Sequence, residues 1–199
     1  MLIKTLGIVL GWQQHKDNVT LLHLFTQSEG RMTFGLYGNK HKPALAYLSI
    51  VEITYHSTSK PVQNINSIER AFVPQKIPFD PVRQCIAMFM AELLHITLRH
   101  PLPDDALFAY AQNIIEELDR AENVSNLHLH FMVGLAQHLG FSIDFNDPIN
   151  EVLLPLFSDN PIGRKERQAI LFYLCSYYEG HIDNFSKPHS LPILTEIFS

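Results

Sequence analysis

Apolar and polar residues alternate along the first third of the chain. Ile3 to Leu10 form one strand-like run and Val19 to Thr26 the next; Ser28-Glu29-Gly30 reads as a turn, and Arg31 to Tyr37 follow as a third. Gly38-Asn39-Lys40-His41-Lys42-Pro43 is a polar loop, after which Leu48 to Tyr55 and Val62 to Phe72 supply two more strands. Five short strands in about 75 residues fit a small barrel such as the OB-fold, with a half-open sandwich as the competitor.

From Phe79 the period becomes helical. Asp80 is placed to cap a helix with Pro81 at its first position, and Val82, Ile86, Phe89, Leu93 and Ile96 then fall on one face. Pro101 and Pro103 stop it. Asp104 and Asp105 open a second helix through about Glu122, carrying Leu107, Tyr110, Ile114 and Leu118 at helical spacing. A third is expected over Ser125 to Leu139, ended by Gly140 in the left-handed region. Residues 141–162, with Pro148, Pro155 and Pro161, read as irregular, before a long helix over Gly163 to Tyr178 and a short one over Leu191 to Phe198. The expectation is an α+β chain in two modules: an OB-fold barrel over 1–77 and an all-α domain over 78–199.

Charge divides at the same place. Residues 1–77 hold eight lysines and arginines against four carboxylates, a net +4; residues 78–199 hold seven against sixteen, a net −9, which together give the overall −5. Halves of opposite sign suggest different partners. With 46% hydrophobic and 18% charged residues, the 199-residue chain can bury a core. Two cysteines, Cys85 and Cys175, exclude a disulfide framework and a zinc site made of cysteine pairs, and both sit in apolar helical patterns as small hydrophobes. No run is long enough for a transmembrane span, and the N-terminus reads as the first strand of a cytosolic protein.

Chemistry-bearing motifs are few. His128 and His130 are two residues apart, so on a helix they diverge and cannot chelate together. Glu92-Leu-Leu-His95 matches one half of a di-iron signature, but no second copy exists. The HExxH, GxSxG, P-loop and GxGxxG patterns are all absent. No enzyme, metal or cofactor is expected. The positive signal is a set of cations among aromatics in the barrel: Lys4, Arg31, Lys40, Lys42 and Lys60 with Trp12, Phe34, Tyr37 and Tyr47. Single strands are held by a cationic groove and by aromatic faces on which bases stack. Phe34 reads as core, whereas Trp12 and Tyr37 lie beside polar turns. The candidate DNA contacts are Lys4, Arg31, Tyr37, Lys40, Lys42 and Lys60.

Several segments resemble one family. Lys4 to Leu10, Leu24-Phe25-Thr26 with Gly30-Arg31, Leu48 to Glu52, Ile77 to Asp80, Ala91 to Leu94 and His138 to Phe141 are similar, in order and spacing, to RecO, the bacterial recombination mediators, in the manner of the Bacteroidetes branch. The tail, Tyr178 to Phe185 with Ser190 to Leu194, extends the similarity to nearly the whole chain. The resemblance implies an N-terminal OB-fold and a helical C-terminal domain. It also implies DNA repair by the RecF pathway in a cytoplasmic, nucleoid-associated protein: binding of single- and double-stranded DNA, annealing of complementary strands, and loading of RecA onto DNA coated by single-strand-binding protein (SSB). The implied partners are DNA, RecR and the acidic SSB tail. Three positions depart from the family's pattern. The four cysteines that hold zinc in many relatives are missing, so no structural zinc is expected. The loop after the third strand reads Gly38-Asn39-Lys40-His41-Lys42 where relatives are arginine-rich. His128 and His130 stand where relatives carry arginines that grip the SSB tail. The alternatives are a protein adaptor without strong DNA binding, whose basic barrel face takes an acidic peptide, and a histidine-built metal enzyme.

Overall fold

In the computed structural model, residues 1–16, 18–37, 46–158 and 160–198 are described, leaving aside the side chains of Lys16 and Ile149. Five strands close a barrel in the order β1-β2-β3-β5-β4: β1 (Leu2–Lys16), β2 (Val19–Thr26), β3 (Gly30–Tyr37), β4 (Ile50–His56) and β5 (Val62–Arg70). All pairs are antiparallel except β3 with β5, which run parallel through Thr33↔Val62, Phe34↔Gln63 and Gly35↔Asn64. This is the architecture of an OB-fold. The first strand is longer than its hydrophobic run suggests because it serves two neighbours. Its first half pairs with β4, from Leu2↔His56 to Ile8↔Ile50. From Gly7↔Thr26 the strand pairs with β2 out to Lys16↔Val19, with register shifts between Val9 and Gly11 and between Gln14 and Lys16.

Alternation sorts the strand residues onto two cores. Val9, Leu22, Leu24, Phe34, Leu36, Val51, Ile53, Tyr55 and Ile68 fill the barrel. Ile8, Leu10, Phe25 and Ile50 point out of it, and they join Leu48 and the buried faces of the helices in a second core. The helical part therefore packs directly on the barrel wall, with Phe25 against Phe108 at 5.4 Å between ring centroids.

The helices are α1 (Pro81–Thr97), α2 (Asp105–Arg120), α3 (Leu127–His138), α4 (Arg164–His181) and α5 (Leu191–Ile197). Asp80 caps α1 through Val82 N–H at 2.9 Å, Pro81 opens it, and Asp104 caps α2 through Leu107 N–H at 2.8 Å, as the sequence predicts. Gly140 stands just beyond α3 with φ +87°. Gly134 lets α2 and α3 approach closely, since a Cβ there would overlap the Tyr110 hydroxyl. The irregular stretch contains one element the apolar pattern did not predict, a 3-10 helix over Pro148–Phe157. Its three-residue repeat is visible in burial: Asn150, Leu153 and Leu156 face inward, while Glu151, Leu154 and Phe157 face solvent.

The turn from strands to helices is fastened by polar groups. The Asp119 carboxylate on α2 accepts the N–H groups of Gln75 (2.8 Å), Lys76 (2.8 Å) and Ile77 (3.0 Å). Buried Arg83 donates to the carbonyls of Leu118 and Ala121 at the end of α2 and to Asp80. Among the described residues, no helix is long and apolar enough to cross a membrane.

Candidate nucleic-acid interface

OB-folds bind ligands on the face of strands 2 and 3 and on the loops beside it. Here the outer residues of that face are Leu21 and His23 on β2 and Arg31, Thr33, Gly35 and Tyr37 on β3, paired as Leu21↔Gly35 and His23↔Thr33. At the Tyr37 end the sheet is open. The Tyr37 ring is 62% exposed and lies beside Gly35, 3.8 Å from where a Cβ would stand, so an aromatic surface rests on a strand position with no side chain of its own. Lys40 and Lys42, in the segment that follows, lie outside the described residues.

At the opposite end, a groove of about 480 Å³ opens between β3, the β4–β5 loop and the residues after α1. It gathers three cations, Arg31, Lys60 and Arg99, with Glu29 as a carboxylate on its wall. The loop carrying Lys60 is held by buried Gln63. That side chain donates to the carbonyls of Thr58 (3.1 Å) and Lys60, and accepts from the N–H and hydroxyl of Thr58, both at 3.0 Å. Lys60 is exposed, and neither it nor Arg99 forms an ion pair among the described residues.

Arg31 is committed inward. Its Nη1 donates to the carbonyls of His95 and Leu98, each at 3.1 Å, and its Nη2 faces His95 Nε2 at 3.2 Å. It braces the barrel against the C-terminal turn of α1, where a cation also meets the negative end of the helix dipole. Burial lowers the Arg31 pKa. Burial, then the Arg31 charge and then His23, push His95 down to about 4. A neutral His95 with Nε2 accepting from Arg31 carries its proton on Nδ1. His23, lowered by burial and by Arg31, packs edge-on to His95 at 4.9 Å and shares a hydrogen bond with Thr33 at 3.0 Å.

The other sequence candidates separate. Lys4 stands on a different patch, in an ion pair with Glu52 at 2.8 Å, and Glu69 lies across from Glu52 on β5. The hydrogen bond and charge of Glu52 raise its pKa. Lys4 is therefore not brought to the groove. Trp12 is 42% exposed and packs on Tyr47 at 5.0 Å, while Phe34 is fully buried inside the barrel. His128 and His130 part company on α3. His128 is 0% exposed, stacked on Phe198 at 5.0 Å, with both ring nitrogens unpartnered. Burial, then Arg167 and His130, push it down to about 3. It is core and offers nothing to a surface ligand. His130 is exposed beside Phe157 at 5.8 Å. Glu92 and His95 are spent on Ser190 and Arg31 respectively, and no cluster of three or more metal-ligating side chains occurs among the described residues.

Sequence reasoning missed Arg99. Its signal was position: the arginine follows directly where α1 stops, in Leu98-Arg99-His100-Pro101, and helix ends at a barrel wall bring such residues to strand ends. Its proximity to Lys60, 39 positions earlier, is purely tertiary.

Residues 78–151 match the family model described as the C-terminal part of recombination protein O. Across the whole of both chains, the protein is 28% identical to DNA repair protein RecO of Flavobacterium johnsoniae, 26% to that of Phocaeicola vulgatus and 28% to that of Bacteroides fragilis. The closed five-stranded barrel continued by helices is thus accompanied by a similarity to RecO proteins that runs end to end.

Proposed function

We propose that the protein is a DNA-binding recombination mediator that performs no turnover. It binds single- and double-stranded DNA, anneals complementary strands and assists RecA loading onto SSB-coated DNA, with RecR and the SSB tail as protein partners. Residues 1–77 form the DNA-binding domain and 78–199 the partner-binding domain. The observation that carries the reading is the groove in which Lys60 and Arg99 stand unpaired beside Arg31, on a barrel whose full-length relatives are named DNA repair proteins. Phosphates seated there give sequence-independent affinity through counterion release. Tyr37, at the far end of β3, adds an exposed aromatic surface for a base, and Lys40 and Lys42, which follow it in the sequence, are proposed as further phosphate contacts. Annealing follows from neutralising two strands that otherwise repel. Of the two histidines opposite the family's tail-gripping arginines, His130, which is exposed, is the proposed contact for the SSB tail, and His128, which is buried, is not.

The test is fluorescence anisotropy of a labelled single strand over a range of salt. Charge reversal of Lys60 and Arg99 together is expected to weaken binding to all sequences. It should also flatten the log–log salt slope by roughly 1.4, about 0.7 for each lost phosphate contact. Unchanged affinity and slope would remove the groove from the interface. The adaptor reading draws on the ion pair of Lys4 and the inward commitment of Arg31, which leave fewer free cations than the sequence suggests. Binding of a labelled SSB-tail peptide by a protein that ignores DNA would favour it.

A further inference from the structure

We infer that the cleft between β1, α1 and the segment preceding α5 receives one unpaired base of a DNA single strand, stacked on Trp12, with Lys187 and His189 beside its phosphate. The inference rests on the DNA-binding reading and extends it to a site built partly by the helical domain. The cleft has a volume of about 340 Å³ and is lined by Trp12, Tyr47, His23, His95, Lys187 and His189, among others. It lies in the size range of small-ligand sites.

Three observations point to a nucleotide. First, the cleft adjoins the cationic groove. Arg31 lines the groove, His95 lines the cleft, and the two side chains are in hydrogen-bond contact at 3.2 Å. A strand whose phosphates lie along Lys60 and Arg99 is thereby led to the cleft mouth. Second, Trp12 is 42% exposed and packs on Tyr47 with ring centroids 5.0 Å apart, both rings lining the cleft, an arrangement that favours stacking of any base. Third, the cleft supplies charge. Lys187 is held only by an exposed pair with Glu179 at 3.2 Å, which a phosphate can displace. The one carboxylate of the lining, Glu92, is engaged by the N–H and hydroxyl of Ser190 at 2.8 and 2.6 Å. A second depression on the other side of the Trp12–Tyr47 pair has no Lys, Arg or His in its lining and fits no phosphate. A base held in a duplex enters such a recess only at an unstacking and unpairing cost of about a few kcal/mol, so the site favours unpaired bases.

Trp12 is the only tryptophan of the chain, so its emission reports on the immediate surroundings of this one ring, the cleft and the cation-free depression beside it. The full-length protein is titrated with a labelled oligothymidylate, with a labelled hairpin duplex and with thymidine monophosphate, following label anisotropy and tryptophan emission together. For the oligonucleotide, emission is expected to fall and to saturate with the anisotropy. The duplex is expected to raise anisotropy with emission unchanged, and the mononucleotide to do nothing at the same concentrations. Trp12→Ala should weaken single-strand binding roughly 5- to 150-fold and leave duplex binding intact, while Trp12→Phe keeps most of the affinity. Single-strand binding without an emission change overturns the inference and leaves the DNA-binding reading standing, whereas no anisotropy change with either DNA overturns both. Quenching by the duplex, or by the mononucleotide alone, also overturns the assignment.

Discussion

Replacing Arg31 by Met separates two roles that sequence reasoning alone would merge. The side chain spends its donors on the His95 and Leu98 carbonyls and on His95 Nε2. Hydrogen bonds to a charged group are worth about 1.5–3 kcal/mol each, toward the lower end here because the guanidinium is half-buried and water can reach the freed carbonyls at the helix end. Methionine retains the apolar stem, so the loss falls on the polar head and, for three bonds at that lower end, amounts to about 4.5 kcal/mol. For a chain of this length that lowers Tm by roughly 9–18 °C. Because those donors are not aimed at a phosphate, the salt slope of single-strand binding should change little. The His95 ring adds a local readout: without the Arg31 charge its pKa should rise from about 4, with burial still holding it below the ordinary value, as followed by NMR titration of the imidazole. A variant with unaltered Tm and a salt slope reduced by about 0.7 would refute the brace and make Arg31 a phosphate contact.

Two further changes test the packing that positions the interface. The His128 ring titrates near 3 when folded and near 6.5 when unfolded. Between those values the unfolded chain takes a proton that the buried ring refuses, so stability falls as the pH drops, by about 2 kcal/mol at pH 5. His128→Phe, which keeps the stack on Phe198, should lose correspondingly less stability between pH 7 and pH 5 in urea titrations; an unchanged difference would place the ring in water. Asp119→Ala removes the acceptor for three consecutive N–H groups and should cost about 3 kcal/mol, with Asp119→Asn losing about half of that, measured by urea midpoints at pH 7. A loss below about 1 kcal/mol would show that water satisfies that turn unaided.

Most elements were legible because each carries a local signal. Alternation marks the strands, Asp80 and Asp104 mark helix starts, and Gly140 marks a stop. The far half of β1 was not, because Gln13, Gln14 and His15 are polar, and Gln13 and Gln14 pair with β2 through backbone groups, which hydrophobic patterning does not record. His128, which the resemblance sets where relatives carry a tail-gripping arginine, is buried instead, because α3 has Leu127, Leu129, Phe131 and Met132 buried on several sides, so it is enclosed nearly all round and takes the histidine with it. Arg31 looked like a free cation because its partners, His95 and Leu98, lie 64 and 67 positions away. Charge composition identified the basic barrel, but which cations remain available was decided by what the helices placed against them.

That division explains how a chain with net charge −5 can present the polyanion site proposed above. At physiological ionic strength charges separated by more than about 8 Å are largely screened, so the helical domain's carboxylates act on a bound phosphate only when they stand close to it. The groove's local field comes chiefly from Lys60 on a barrel loop and Arg99 at the end of α1, with Glu29 opposing them. These two cations belong to different structural parts, and Arg31 pins the strand next to one against the helix that precedes the other. Disrupting the apolar packing of the helices on the barrel should therefore separate Lys60 from Arg99 and weaken DNA binding even where no contact residue changes, whereas Arg31→Met, which leaves that packing in place, keeps the two cations together. In this architecture the docking of the helices on the barrel wall assembles the site, and the oppositely charged halves form one interface at their seam.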